Sequence, residues 1–381
     1  MTVFEFATAG RIIFGPGTLS QLDSVATGYG KCPLIVTGKR RVAAAMFTGT
    51  TLTGTTFSVA SEPTIDLVRE GVEAFRGAKC DLVIAIGGGS AIDAGKAIAA
   101  AAANPGDLLD YLEVIGKGQP LESAPYPFIA VPTTAGTGSE VTRNAVLGSP
   151  KHGVKVSLRS PLMLPRVAIV DPELTRSLPP GITASTGLDA LTQLIEAYVS
   201  SRANPMTDNF CLDGIRHAAA SLLRAYKNGG DGEARTGMAW ASLLGGLALA
   251  NAGLGVVHGF AAPIGGTFEA PHGAVCAALL PAGMRANIDA LRERDPRGPA
   301  LERYATIARI VTGDPNATPE KGARWVQALA KQLAIPTLAA YGIRERDVPE
   351  LVEKAGRASS MKANPVSLTP VELATVIERS L

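Results

Sequence analysis

An α/β domain with a parallel sheet, followed by an all-α domain, is the fold class this sequence predicts. Three observations carry that reading. Short apolar runs without alternation recur through the first half, each followed by a helical segment. Such runs stop after Asp171-Pro172, and from about Ile182 onward the chain keeps helical periodicity punctuated by Gly and Pro. At 381 residues the chain exceeds what one ordinary core supports, so two domains are expected.

The elements follow in order. "PLIVTG" (33–38), "DLVIAIGGG" (81–89), "YPFIAVPTT" (126–134) and "RVAIVDP" (166–172) read as strands covered on both faces. "AIDAGKAIAAAAAN" reads as the helix after the second run. The boundary falls near "LTRSLPPG" (174–181), giving domains 1–178 and 179–381. Gly237 to Phe268 holds no Asp, Glu, Lys or Arg, but Asn251 and the glycines at 253, 255 and 259 interrupt it. It is expected to be a buried helix followed by a turn, too short to cross a bilayer.

Composition excludes several classes. With 46% hydrophobic and 18% charged residues the chain is compact and ordered. A net charge of +2 leaves no broad footprint for nucleic acid or an anionic membrane. The N-terminus "MTVFEFATAGRIIFG" lacks the basic flank and apolar core of a signal peptide, so a cytoplasmic protein is expected. Cys32, Cys80, Cys211 and Cys276 are scattered without a CxxC pair, which indicates four buried thiols and neither disulfides nor a cysteine zinc site.

Within "GLDALTQLIEAY" (187–198), a helix puts Asp189, Gln193 and Glu196 on one narrow face of an otherwise apolar surface. Buried polar groups cost free energy unless something pairs with them. Of the four histidines, His258 lies in the uncharged stretch and His272 just beyond it, both expected to be buried, while His152 and His217 have polar, charged neighbours and are expected at the surface. Two buried imidazoles and the Asp189 carboxylate are enough to hold Fe(II) or Zn(II) with positions open to substrate.

The strand at 82–86 runs into Gly87-Gly88-Gly89-Ser90 and then a helix, which offers free N–H groups and the positive end of a helix dipole to a pyrophosphate. G-G-G-S-x-x-D, with Asp93 as its acid, is not the G-x-G-x-x-G fingerprint. A second loop, "PTTAGTGSEVT" (132–142), follows another strand and supplies Thr133, Thr134, Thr137 and Ser139, side chains suited to phosphate, ribose or carboxamide. Two such loops at strand carboxyl ends make a nucleotide crevice. Gly38, Lys39, Arg40 and Arg41 stand where NAD-binding folds place a ribose-binding acid, so NADP(H) is favoured over NAD(H). Lys155 completes the candidate nucleotide set.

The chain resembles the iron-containing (group III) alcohol dehydrogenases, which include the maleylacetate reductase branch and have a dehydroquinate synthase-like fold. The resemblance rests on "FGPGTL" (14–19), "GGGSAIDAGK" (87–96), "PTTAGTGSEVT" (132–142), "VAIVDPEL" (167–174), "GLDAL…IEAY" (187–198), "NAGLGVVHG" (251–259), "PHG" (271–273) and "ANP" (363–365). It implies a dinucleotide-binding domain, a helical domain, a divalent metal in the cleft between them, and reversible hydride transfer between a nicotinamide and an alcohol/carbonyl pair. It also implies a homodimer.

The family holds its metal with an Asp, a His four residues later, and two more His fourteen residues apart. Asp189, His258 and His272 match; Gln193 stands in place of the helix histidine. Ala262 replaces a further histidine common near the nicotinamide. The resemblance therefore assigns Asp189, Gln193, His258 and His272 to the metal and catalytic site, with Gln193 as a weak fourth ligand or a donor to the substrate oxygen. A metal-independent maleylacetate reductase-like enzyme and a non-enzymatic NAD(P)-binding relative are the alternatives. Small side chains at Ala261, Ala262, Gly265 and Gly266 leave room for a bulkier substrate.

Overall fold

The computed structural model describes residues 3–38 and 53–381. Two compact units divide them. One is Ala7–Thr134 with Gly138–Thr175; the other is Arg176–Leu381 with residues 3–6 and Ala135–Thr137.

The first unit holds a six-stranded parallel sheet in the order β1-β8-β5-β4-β2-β3. Its strands are β1 Ile12–Phe14, β2 Pro33–Gly38, β3 Thr55–Val59, β4 Leu82–Gly87, β5 Phe128–Pro132 and β8 Val167–Val170. The four apolar runs of the sequence are the inner strands β8, β5, β4 and β2, and every residue of β4, β5 and β8 is buried. Alternate residues feed opposite faces, as the pleat requires. Val83 and Ala85 pack with Val68, Phe75 and Ile98 on one side. Leu82, Ile84 and Ile86 pack with Leu22, Val25 and Ile169 on the other. The helices are α1 Leu22–Ala26, α2 Ile65–Gly77, α3 Gly89–Ala103 and α4 Leu108–Tyr111.

The edge strands β1 and β3, and an antiparallel hairpin of β6 Asn144–Ser149 with β7 Val154–Arg159, are additions to the sequence reading. These segments are short or half-exposed and alternate polar with apolar residues, so they lack the continuous run that marks a central strand. Two of the quoted motifs meet here: the Asp171 carboxylate of "VAIVDPEL" accepts the N–H groups of Gly17 and Leu19 in "FGPGTL", at 3.1 and 3.0 Å.

The second unit is helical: α5 Pro180–Val199, α6 Pro205–Lys227, α7 Gly232–Ala252, α8 Val256–Thr267, α9 His272–Arg294, α10 Pro299–Thr312, α11 Pro319–Gln332, α12 Val348–Gly356 and α13 Pro370–Glu378. Helix α5 is its centre, buried at every residue from Gly187 to Val199. Glycines let the neighbours come close. A Cβ at Gly187 would lie 2.2 Å from Leu222 of α6, and one at Gly273 would lie 2.9 Å from the Ser185 carbonyl.

The uncharged stretch covers most of α7 and all of α8, so a second helix follows where a turn was expected, the two bent by 97° at the break between them. Gly253 sits in that break at φ +75°, a conformation L-residues seldom adopt. Among the described residues one helix, α9, has the length and hydropathy of a membrane span, and 78% of its apolar window is buried inside the fold.

Candidate metal and nucleotide sites

The first turn of α8 is built around a carboxylate from α5. Its first three N–H groups have no partner within the helix. Asn364, from "ANP", accepts Val256 N–H at 3.0 Å. Glu196 accepts Val257 N–H at 2.7 Å and His258 N–H at 3.4 Å. The same Glu196 carboxylate lies 2.7 Å from His258 Nδ1. That contact places a proton on Nδ1 and turns Nε2 toward Asp189.

His258 Nε2 lies 3.4 Å from Asp189 Oδ1, and His272 Nε2 lies 3.7 Å from the same oxygen. His272 is the first residue of α9, and the Gly273 contact brings the start of that helix against α5 beside Asp189. The structure therefore gathers Asp189, His258 and His272 around one point. It adds a fourth group, Cys276, one turn beyond His272 on α9. Cys276 Sγ lies 3.8 Å from His258 Nε2 and 3.7 Å from His272 Nε2. One donor atom from each of the four residues falls within 4.8 Å of the others. The sequence reading, which found no cysteine zinc site, missed Cys276 because it looked for CxxC pairs; its signal is the i, i+4 spacing to His272. Glu196 was visible on the polar stripe, but its partner was not.

Asp189, His258 and Cys276 are buried, His272 is half-exposed rather than buried as the sequence suggested, and the four share charge. Asp189 is 1% exposed and its Oδ1 accepts no hydrogen bond, an orphan that a cation would satisfy. Burial opposes its ionisation, yet His272 and His258 hold its pKa below the ordinary carboxylate value. His258 is also disfavoured as a cation by burial, but Cys276, Asp189 and Glu196 raise it well above the usual imidazole. Cys276 raises His272 to about 9 against its burial, with Asp189 helping. A pocket that gathers this much anionic character around two imidazoles fits a divalent metal.

Gln193 lies on the same face of α5 and is buried, but its Oε1 makes no hydrogen bond. That oxygen sits 3.1 Å from where Gly245 of α7 would carry a Cβ. His152 and His217 lie elsewhere: His152 Nδ1 meets Ser149 Oγ at 2.7 Å, and His217 Nδ1 meets the Asp213 carbonyl at 3.0 Å.

The nucleotide candidates lie at the carboxyl ends of the central strands. Gly87 ends β4, Gly88 is the N-cap of α3, and Gly89 and Ser90 form its first turn. A Cβ on Gly87 would strike Ala91 Cβ at 2.6 Å, and one on Gly88 would come within 3.3 Å of Thr134. Thr133 N–H donates to the Gly87 carbonyl at 2.9 Å, so the glycine turn and the hydroxyl loop are adjacent. Thr137 belongs with the helical unit, where its neighbour Gly136 packs against Thr186.

Ser139 and Asp93 are engaged with one another: Ser139 Oγ donates to Asp93 Oδ1 at 2.5 Å, and Val146 N–H donates to Asp93 Oδ2 at 3.0 Å. Lys155 is paired with Glu62. Gly38 ends β2 beside Gly87, and a Cβ there would meet no atom of the described residues within 4 Å. Lys39, Arg40 and Arg41 lie outside the described residues.

A residue missed by the sequence reading organises this loop. Lys96 of α3, 1% exposed, donates to the carbonyls of Ser139, Thr142 and Asn144 at 2.8, 3.2 and 2.7 Å and to Thr142 Oγ1 at 2.9 Å. Burial draws its pKa down to about 8, with Asp93 and Glu140 opposing. Its place in "GGGSAIDAGK" gave no hint of burial, because lysine is ordinarily a surface residue.

Residues 9–172 match the family model for iron-containing alcohol dehydrogenase, and residues 183–381 match that for the C-terminal part of the Fe-containing alcohol dehydrogenase family. The chain is 39% identical over 319 residues to 1,3-propanediol dehydrogenase of Citrobacter freundii, covering 82% of this chain and 79% of that protein. It is 35% identical over 326 residues to an NAD-dependent methanol dehydrogenase of Bacillus methanolicus, covering 84% and 82%. A crystal structure of a 1,3-propanediol oxidoreductase superposes with a TM-score of 0.91 at 34% identity over the whole of both chains. The chain belongs to the iron-containing alcohol dehydrogenase family, and it is a nicotinamide-dependent oxidoreductase acting on an alcohol/carbonyl pair.

Proposed function

We propose that this enzyme is a metal-assisted, NADP(H)-preferring dehydrogenase whose helical unit supplies the metal donors and whose α/β unit supplies the nucleotide site. The gathering of Asp189, His258 and His272 donor atoms within 4.8 Å is the observation that carries the reading. A bound divalent ion would supply Lewis acidity toward the carbonyl oxygen, the charge-stabilising element this reaction needs. Asp189 and the Nε2 atoms of His258 and His272 hold it, and Glu196 orients His258.

Gln193 offers a neutral amide for the substrate oxygen. With alanine at 262, the proton exchanged with that oxygen travels through water or a hydroxyl group. The glycine turn at 87–89 and Thr133 and Thr134 receive the nucleotide. Gly38 carries no side chain where a carboxylate would repel a 2′-phosphate. Small residues at 261, 262, 265 and 266 permit a bulkier substrate without requiring one.

Elemental analysis of protein purified without added metal tests the reading, together with NADPH and NADH oxidation before and after chelation. The panel should span small aldehydes, 2-oxo acids and maleylacetate. Stoichiometric metal, loss of turnover on chelation and a preference for NADPH are expected. Undiminished turnover in metal-free protein would favour a maleylacetate reductase-like enzyme instead, a reading to which the glutamine at 193 lends its weight.

A further inference from the structure

We propose that Cys276 is a metal ligand, so that this chain holds its ion with one carboxylate, two imidazoles and one thiolate, and that this donor set selects zinc over ferrous iron. The inference rests on the metal-assisted reading above and goes beyond it. It gives the fourth position to a residue on a different helix from the one at which the family carries its imidazole.

The first argument is distance. Bonds of about 2.0–2.1 Å to nitrogen and oxygen and about 2.3 Å to sulfur, spread tetrahedrally, put N···O edges at about 3.3 Å and N···S edges at about 3.6 Å. The two N···O separations here are 3.4 and 3.7 Å, and the two N···S separations are 3.8 and 3.7 Å. Four of the six edges thus lie near the lengths such an ion requires, and the other two fall within 4.8 Å.

The second argument is direction. Cys276 is fully buried, and its sulfur contacts Nε2 of both His258 and His272, the same atoms that face Asp189 Oδ1. The rival donor, Gln193 Oε1, is instead set against Gly245 of α7. Charge gives a third argument. Asp189 and a Cys276 thiolate carry two negative charges, which neutralise a dication inside an interior where an unbalanced charge is costly. On binding, the thiol proton passes to solvent and sulfur gives its lone pair to the metal. Thiolate is a soft donor, and among divalent ions in such a site zinc binds more tightly than iron.

Cobalt(II) substitution of the whole enzyme tests this, because a thiolate bound to cobalt gives a near-ultraviolet charge-transfer absorption that oxygen and nitrogen donors do not. The wild-type cobalt form is expected to show the band. C276S is expected to lose it and to bind zinc more weakly by at least the roughly 10–100-fold that loss of an outer-shell partner costs. Q193A is expected to keep the band and the metal content. In competition, equal zinc and ferrous iron should yield zinc-loaded wild type.

Cobalt bound stoichiometrically without the band overturns the thiolate ligand and leaves the metal-assisted reading standing. Failure to bind any divalent ion overturns both. The wild-type spectrum decides the matter even where C276S folds poorly.

Discussion

Glu196 and His258 meet at 2.7 Å through Nδ1, and the same carboxylate closes the first turn of α8. One side chain thus serves two tasks, helix capping and imidazole orientation, and they can be separated. E196Q keeps the shape and one acceptor but gives up the charge. It should weaken metal binding by roughly 10–100-fold with a small change in thermal midpoint. E196A also strands the Val257 and His258 N–H groups and should cost a further ~1–3 kcal/mol of stability. Metal titration alongside thermal unfolding distinguishes the two; equal metal affinity in E196Q and wild type would deny Glu196 the orienting role.

Position 193 yields a second prediction. If Cys276 already completes the donor set, Q193H changes zinc content little in the wild-type background. In the C276S background the new imidazole stands one turn from Asp189, on the same face of α5. C276S/Q193H should therefore recover most of the zinc affinity lost in C276S, and should oxidise alcohols faster than C276S. Calorimetric titration of the single and double variants measures the coupling between the two positions.

The legibility of these groups in the sequence was uneven, for physical reasons. Leu82–Ile86 and Phe128–Val131 announced themselves because a strand covered on both faces has no polar alternation, and that signature is local. Asp189, His258 and His272 stood out as polar groups in apolar surroundings. Cys276 did not, because a buried cysteine is ordinary in any core and only the packing of α8 against α9 puts a histidine on each side of it. Lys96 was hidden for the opposite reason: nothing local shows that three carbonyls from residues 139–144 will fold back over its ammonium. The assignment of Ala135–Thr137 to the helical unit likewise depends on contacts between Gly136 and Thr186, fifty residues apart in the chain.

Cofactor preference gives a third prediction, at the end of β2. A side chain at Gly38 would meet none of the described residues, and no left-handed backbone requires glycine there. G38D should thus fold normally. Its carboxylate would accept hydrogen bonds from a ribose 2′-hydroxyl and repel a 2′-phosphate. The ratio of kcat/KM for NADPH to that for NADH should fall by tenfold or more, about 1.4 kcal/mol of differential binding. An unchanged ratio would remove Gly38 from the specificity determinants.

Lys96 gives the fourth, through pH. Its ammonium ties Ser139, Thr142 and Asn144 to α3, and burial lowers its pKa from 10.5 to about 8. Below about 8 the lysine is charged both in the fold and in the unfolded chain, so the full cost of burying the charge is present. Between about 8 and 10.5 the unfolded chain holds the proton and the fold does not, so stability contributed by this position rises with pH. The adjacent Glu140, whose pKa burial raises to about 7, acts in the opposite sense as pH rises from 4.5 toward 7. Placing both proteins in an E140Q background removes it. The thermal midpoint of E140Q should gain on that of E140Q/K96M as pH rises from about 8 to about 10.5. K96M itself should weaken nucleotide binding while leaving metal content intact, since Lys96 and the residue 139–144 loop belong to the α/β unit and the metal donors to the helical unit. A midpoint difference that is flat across that range would mean the ammonium stays charged, with its carbonyl cage outweighing its burial.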